Sequence, residues 1–378
     1  MAVKKLSRPR VSGLLGVAGV AAAGLLSTAC AGTATNATSP ASATKAVANV
    51  TPARAHTPAW RDVVTVNNGT SQTGFETVLA TGKTTGWAFL PSGSYAYQRT
   101  GPASWKKVAL PGKNGNVSAA AASSPSNVWI SYYTSHGSQL DRWTGSRWQA
   151  VKTLPGAVNG LEVLGTSDVW AFGGVNADTG GIWHYNGRSW TLVSRTLRGG
   201  SAVSDKNVWA FAGQTIAHYD GKTWTSTNVA KLLPPKPPYG SVGVSQVHGV
   251  TALSAKDVYA VGVGVDQPMG GPLVLLHYNG RSWSKVAGGD FTGGTQQIAS
   301  DGKGGVWIAA AGTDRNPDLL HYSAGKLIQA ETTLPGAPRK YTEVFSVSRI
   351  PGTAGELAAG TESVPGAATS ASVILEYS

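Results

Sequence analysis

Four histidines raise the first chemical question. His184, His218, His277 and His321 each precede a tyrosine, and three of them open nearly the same heptapeptide: HYNGRSW at 184–190, HYDGKTW at 218–224 and HYNGRSW at 277–283. Four imidazoles are a plausible donor set for zinc, which takes nitrogen ligands at about 2 Å. The spacing argues against it. Ligands of one ion must converge on one point, whereas a motif that returns along the chain belongs to a structural repeat, with its copies far apart. No metal and no cofactor are expected from these residues.

The elements that position the histidines follow from the longer unit around each heptapeptide. In GLEVLGTSDVWAFGGVNADTGGIWHYNGRSWTLV, residues 160–193, four runs of alternating apolar and polar residues are separated by turn residues, the pattern of four short strands. The aromatic of the second run recurs at Trp87, Trp129, Trp170, Trp209, Tyr259 and Trp307, with gaps of 39 to 50 residues, and a seventh unit carries Leu357 there. Seven such units predict an all-β, seven-bladed β-propeller of four-stranded blades over residues 59–378. The heptapeptide then reads as the corner between third and fourth strands. Asn186-Gly187, Asp220-Gly221 and Asn279-Gly280 suit a type I′ turn with both residues at positive φ. Trp143-Thr144-Gly145-Ser146-Arg147-Trp148 is a degraded copy. Asp168 and Asp257, like Asn127 and Asn207, precede the second strand, where Asx side chains commonly bond nearby backbone. The last unit ends at Tyr377-Ser378, short of a fourth strand. Residues 59–66 supply one, with Trp60 in the slot of Trp105, Trp148, Trp190, Trp224 and Trp283. That strand is expected to pair with the last blade and close the ring.

Charged residues are only 13%, while Gly numbers 49 and Trp 13, in keeping with many strands and tight turns. The chain begins with Lys4, Lys5, Arg8 and Arg10, then an apolar run from Val11 to Leu26, then Ser27-Thr28-Ala29-Cys30. This is a leader, and its apolar run falls short of the roughly 20 residues that span a bilayer. The residues before Cys30 resemble the lipobox of bacterial lipoproteins, with Ser27 where that family usually has leucine. The resemblance implies a signal peptide over 1–29 and lipid on Cys30; the alternative is an ordinary secretory signal cut near Ala29-Cys30-Ala31. Cys30 is the single cysteine, so no internal disulfide can form. Residues 30–58 are rich in Ala, Thr and Ser and hold almost no large apolar side chains, a composition expected to be a disordered tether spanning about 30 Å. Net charge is +12, of which the leader contributes four. For a protein outside the cytoplasm, a basic surface points to anionic lipid or acidic wall polymers rather than nucleic acid.

The units SxxDVWAxG…HYNGxSW are similar to repeats of secreted actinobacterial β-propellers of the kelch-like and sialidase-like kind. Asp220-Gly221-Lys222-Thr223-Trp224 resembles the Asp-box of sialidases, which is structural in that family, so the resemblance implies a fold and not an activity. Ser348-Arg349-Ile350-Pro351 matches the Arg-Ile-Pro motif of sialidases in letters but lies in the last blade rather than near the first. The chain has no Gly-x-Ser-x-Gly elbow, no His-Glu-x-x-His and no phosphate-binding loop, and no catalytic residue is assigned.

Irregular connections are the remaining place for a site, since long loops on a rigid scaffold commonly carry binding. Val265–Met269, Thr313–Asp318, Asn176–Asp178 and Lys231–Tyr239 break the repeat. Asp266, Asp314, Arg315, Asp318 and Tyr239 are therefore the candidate ligand-binding residues around the channel mouth. The expected function is a non-catalytic binding or scaffold module at the extracytoplasmic face of the membrane. It would be anchored through lipid on Cys30 and engage cell-wall polysaccharide or another surface protein. The alternative is a secreted glycan-active hydrolase or lyase, which an acid and a base among Asp266, Asp314 and Asp318 about 5–9.5 Å apart would favour.

Overall fold

The computed structural model describes residues 59–67, 74–111, 116–173, 181–235, 244–264, 272–289, 295–310, 318–330, 341–363 and 370–378. The expected leader over 1–29, Cys30 and the expected tether over 30–58 lie outside them.

The chain enters through β1 (Trp60–Asn67) and then builds blade 1 from β2 (Thr77–Gly82), β3 (Thr85–Phe89), β4 (Tyr95–Arg99) and β5 (Trp105–Ala109). Blade 2 holds β6 (Val117–Ser124), β7 (Asn127–Thr134), β8 (Gly137–Trp143) and β9 (Trp148–Leu154). Blade 3 holds β10 (Val158–Gly165), β11 (Asp168–Gly173), β12 (Ile182–Tyr185) and β13 (Trp190–Ser194). Blade 4 holds β14 (Gly200–Ser204), β15 (Asn207–Ala212), β16 (Thr215–Tyr219) and β17 (Trp224–Asn228). Blade 5 holds β18 (Gln246–Ser254), β19 (Asp257–Val263), β20 (Leu273–Tyr278) and β21 (Trp283–Gly289). Blade 6 holds β22 (Thr295–Ser300), β23 (Val306–Ala310), β24 (Asp318–Ser323) and β25 (Lys326–Gln329), and blade 7 holds β26 (Tyr341–Arg349), β27 (Glu356–Ser363) and β28 (Ser370–Tyr377).

Each blade is an antiparallel sheet in chain order, and the seventh is completed by β1 in the order β1-β28-β27-β26. The innermost strands touch in succession from β2 through β6, β10, β14, β18 and β22 to β26, and β26 returns to β2. This is the expected seven-bladed β-propeller. Its closing strand is offset by one residue from the expected 59–66, with Trp60 paired to Tyr377 and Asn67 to Ala371.

One register recurs through the blades and explains the histidines. In blade 3, Val169 pairs with Tyr185, Trp170 with His184, and Tyr185 with Trp190. Blades 4 and 5 repeat it with Trp209 opposite His218 and Tyr259 opposite His277. The second-strand aromatic stacks on the histidine of its own blade: the ring centroids are 4.2 Å apart for Trp170–His184 and 4.0 Å for Trp307–His321. It also meets the corner aromatics of the next blade, as Trp129 meets Tyr185 and Trp190 and Trp209 meets Tyr278 and Trp283. Such aromatic contacts add about 0.5–1.5 kcal/mol each beyond area burial, and the repeat applies them around most of the ring. Trp60 does the same at the last join, 5.2 Å from Trp307 and 5.4 Å from Tyr377, and is 2% exposed.

The corners differ from expectation. Asn186, Asp220 and Asn279 do not have positive φ; only the glycines after them do, at 87°, 94° and 89°. Each corner spans four residues. The Asx side chain accepts the N–H groups two and three residues on, as Asn186 does from Arg188 and Ser189 at 3.0 Å. The side chain thus substitutes for a backbone bond and removes the need for a type I′ turn. The two-residue corner with both residues at positive φ occurs instead in blade 6, at Ala324 (50°) and Gly325 (78°).

The join between blades 7 and 1 abandons the aromatic rule. Leu357 stands in the tryptophan slot, Glu376 in the histidine slot opposite it, and Arg99 of blade 1 in the tyrosine slot. Arg99 Nη2 donates to Glu376 Oε2 at 2.6 Å and to the Pro102 carbonyl at 2.7 Å. Backbone staples accompany it: the Val78 and Ala80 N–H groups donate to the Ser346 and Ser348 hydroxyls at 3.1 and 3.0 Å.

Candidate functional site at the channel mouth

Antiparallel order gives the ring two unlike faces. Turns between first and second strands and between third and fourth strands share one, here termed the corner face. Connections from second to third strands, and from blade to blade, share the other, the loop face, where every innermost strand begins. The histidines sit near the corner face, fully engaged with their own blades. His184, His277 and His321 bond Asp168, Asp257 and Asp301 at 2.9, 2.7 and 3.0 Å, and His218 bonds Asn207 at 3.1 Å. Asp168, Asp257 and Asn207 therefore hold an imidazole against its tryptophan or tyrosine, which differs from the backbone bonding expected of them. Asn127 serves its blade similarly, accepting Trp129 Nε1 at 3.1 Å. Burial raises the Asp301 carboxyl, but bonds from His321, Lys303 and Gly305 together pull it below its ordinary value. Among the described residues no three His, Cys, Asp or Glu side chains gather closely enough to hold a metal ion.

The inner wall is shaped near the loop face by one device used repeatedly. The register of β6 skips Ser118, that of β10 skips Asn159, that of β18 skips His248, that of β22 skips Gln296 and that of β26 skips Phe345. Each is a β-bulge, in which an extra residue is left unpaired and the ladder is locally disrupted. Ser118 donates to the Val158 carbonyl at 2.7 Å and ties blade 2 to blade 3. Asn159 is exposed and accepts the hydroxyl of the exposed Tyr133 at 3.0 Å. His248 is solvent-accessible, yet enough protein surrounds it that burial lowers its imidazole below the ordinary value. Deeper in the wall, burial pushes the Glu162 carboxyl up to about 7 despite bonds from the Ser201 hydroxyl at 3.1 Å and the Ala202 N–H. Burial also raises Glu76, beside the start of β2.

Of the residues expected to bind ligand, Asp266, Asp314, Arg315 and Tyr239 lie outside the described residues, as do Asn176–Asp178. Asp318 is the first residue of β24, paired with Ala310. Asn159, His248, Glu162 and Tyr133 are additional candidates. Within the strand pattern they read as ordinary alternating positions, and only an extra residue in the first strand of a unit signals the bulge.

No family model matches the chain, and no curated protein matches it. Solved structures do resemble it. A structure described as YCF48 bound to D1 peptide superposes with a TM-score of 0.55 at 13% identity, covering 86% of this chain and 98% of that one. A catalytically inactive virginiamycin B lyase variant from Staphylococcus aureus, with quinupristin, gives 0.56 at 13% identity over 84% and 99%. The Cps50 (Swd1) β-propeller domain from Myceliophteria thermophila gives 0.54 at 10% identity over 83% and 99%. At such identities the likeness establishes the propeller fold alone.

Proposed function

We propose that this protein is an extracytoplasmic propeller, anchored by lipid on Cys30, that works as a non-catalytic binding or scaffold module at the cell surface. The observation that carries the reading is the bulged inner wall, which leaves Asn159 and His248, on separate blades, unpaired in the ladder and exposed near the loop-face end of their strands. Polar groups distributed one to a blade suit contact with an extended ligand, whereas chemistry at one bond needs them gathered. A cell-wall polysaccharide strand or a segment of another surface protein fits that description. The peptide-bound propeller among the similar structures is in keeping with it. Residues 1–30, basic then apolar then small before a cysteine, support the membrane address.

The test is equilibrium binding of the chain to purified wall polysaccharide and to solubilised surface proteins. Asn159→Ala and His248→Ala are each expected to weaken the interaction about 10-fold, the loss typical of one well-used contact. Unchanged affinity in both variants rejects the site.

A second reading, a glycan-active lyase or hydrolase, is favoured by Glu162. A carboxyl that titrates near 7 beside a channel is suited to general acid–base work, and one similar propeller is a lyase. Product formation that Glu162→Gln abolishes is the result that selects it.

A further inference from the structure

The corner face is a basic plane, and the chain enters the ring on it. Its outer corners present Arg147, Arg188, Lys222, Arg281 and Lys326, all exposed. Its inner turns add Lys83, Lys206, Lys256 and Lys303, also exposed. The acids of that face are Asp205 and Asp220, both exposed, and Asp168, Asp257 and Asp301, each bonded to the histidine of its own blade. The Asp220 carboxylate is occupied within its own corner, accepting the Thr223 and Lys222 N–H groups at 2.8 Å. The turns of blades 1 to 6 thus each carry at least one cation, and none of these side chains is in an ion pair among the described residues. The opposite face mixes signs: Arg195, Arg198 and Lys231 stand there with Glu76 and Glu343.

The second observation is topological. Trp60 pairs with Tyr377, as Trp190 pairs with Tyr185 and Trp224 with Tyr219 beside their corners. The first residues of β1 therefore lie where the corner of blade 7 would be, and the described chain enters the ring at the basic face.

We propose that the corner face docks on an anionic lipid bilayer, with its lysines and arginines against lipid phosphates and the loop-face mouth turned outward. A plane of cations suits a flat anionic surface, and each basic residue held near one strengthens partitioning about five-fold. The inference deepens the surface reading above by assigning which end faces the membrane. Its test uses neither lipid on Cys30 nor a channel ligand, so the two succeed or fail separately.

The experiment measures co-sedimentation of the chain beginning at Ala31, which carries every strand of the ring, with vesicles of phosphatidylcholine alone or mixed with phosphatidylglycerol. Binding is expected only with phosphatidylglycerol and is expected to fade as salt rises. The fourfold variant Arg147→Glu, Lys222→Glu, Lys256→Glu and Arg281→Glu should lower partitioning at least about 100-fold. Lys152→Glu, Arg195→Glu, Lys231→Glu and Lys285→Glu together change net charge equally off the face, and should retain most binding. As a check independent of variants, Lys222 and Lys256 should be protected from acylation on vesicles while Lys152 and Lys231 stay reactive. Equal binding to neutral vesicles, equal loss in both fourfold variants, no such protection, or binding to a soluble wall polyanion without vesicle binding overturns the proposal.

Discussion

The Arg99 guanidinium of blade 1 lies 2.6 Å from the Glu376 carboxylate of blade 7, in slots that blades 3 to 6 fill with tyrosine and histidine. Arg99 is buried and Glu376 nearly so, so this ring closes through an ion pair as well as through a strand.

A buried charge left without its partner costs about 3–5 kcal/mol, while replacing both partners by apolar groups is often neutral. Arg99→Leu and Glu376→Leu are each expected to destabilise by that order in urea unfolding. The double variant should recover most of the loss. A double variant as unstable as the sum of the singles would show that the pair is not coupled.

The strand latch is tested through Trp60, packed against Trp307 and Tyr377. Trp60→Ala is expected to cost about 3–5 kcal/mol. Removal of residues 59–66 should strip β28 of its outer partner, leaving it paired to β27 alone, and lower the melting temperature steeply. Calorimetry reads both, and an unchanged melting curve would contradict closure by β1.

Glu356 occupies the slot of the buried Val128, Val169, Val208, Val258 and Val306. It is fully buried, and neither carboxyl oxygen has a hydrogen-bond partner among the described residues. Burial pushes it up to about 9, against a lowering by Arg349 and a further rise from Asp301. Between its ordinary value of 4.5 and about 9, the folded chain binds a proton that the unfolded chain has released. Stability therefore falls as pH rises across that window. Glu356→Val should flatten the fall between pH 7 and 9 and raise the melting temperature at pH 9 by about 5 °C. A melting temperature that falls with pH as steeply in the variant would refute this assignment.

The repeat was readable because it lies in bulky residues at regular spacing: the tryptophans, the His-Tyr pairs and the orphan Trp60 all reported their slots. What escaped the sequence lies in departures of one residue or one contact. A bulge at Asn159 or His248 leaves the local composition unchanged and appears only when the two strands are paired. Asn186 and Asp220 suit both a type I′ turn and an Asx-bonded corner, and only backbone geometry separates them. Arg99 and Glu376 are distant in the chain, and no local pattern pairs them. The irregular loops were recognisable as insertions, but insertion alone does not say which side chains meet.

The most direct measurement follows binding and product formation together while the protein is incubated with purified wall polysaccharide and with surface-protein extracts. The account predicts saturable binding that Asn159→Ala and His248→Ala weaken, with no new chain ends or unsaturated products accumulating over time. Products that build up with time, and vanish in Glu162→Gln, would contradict it and make the channel a catalytic one.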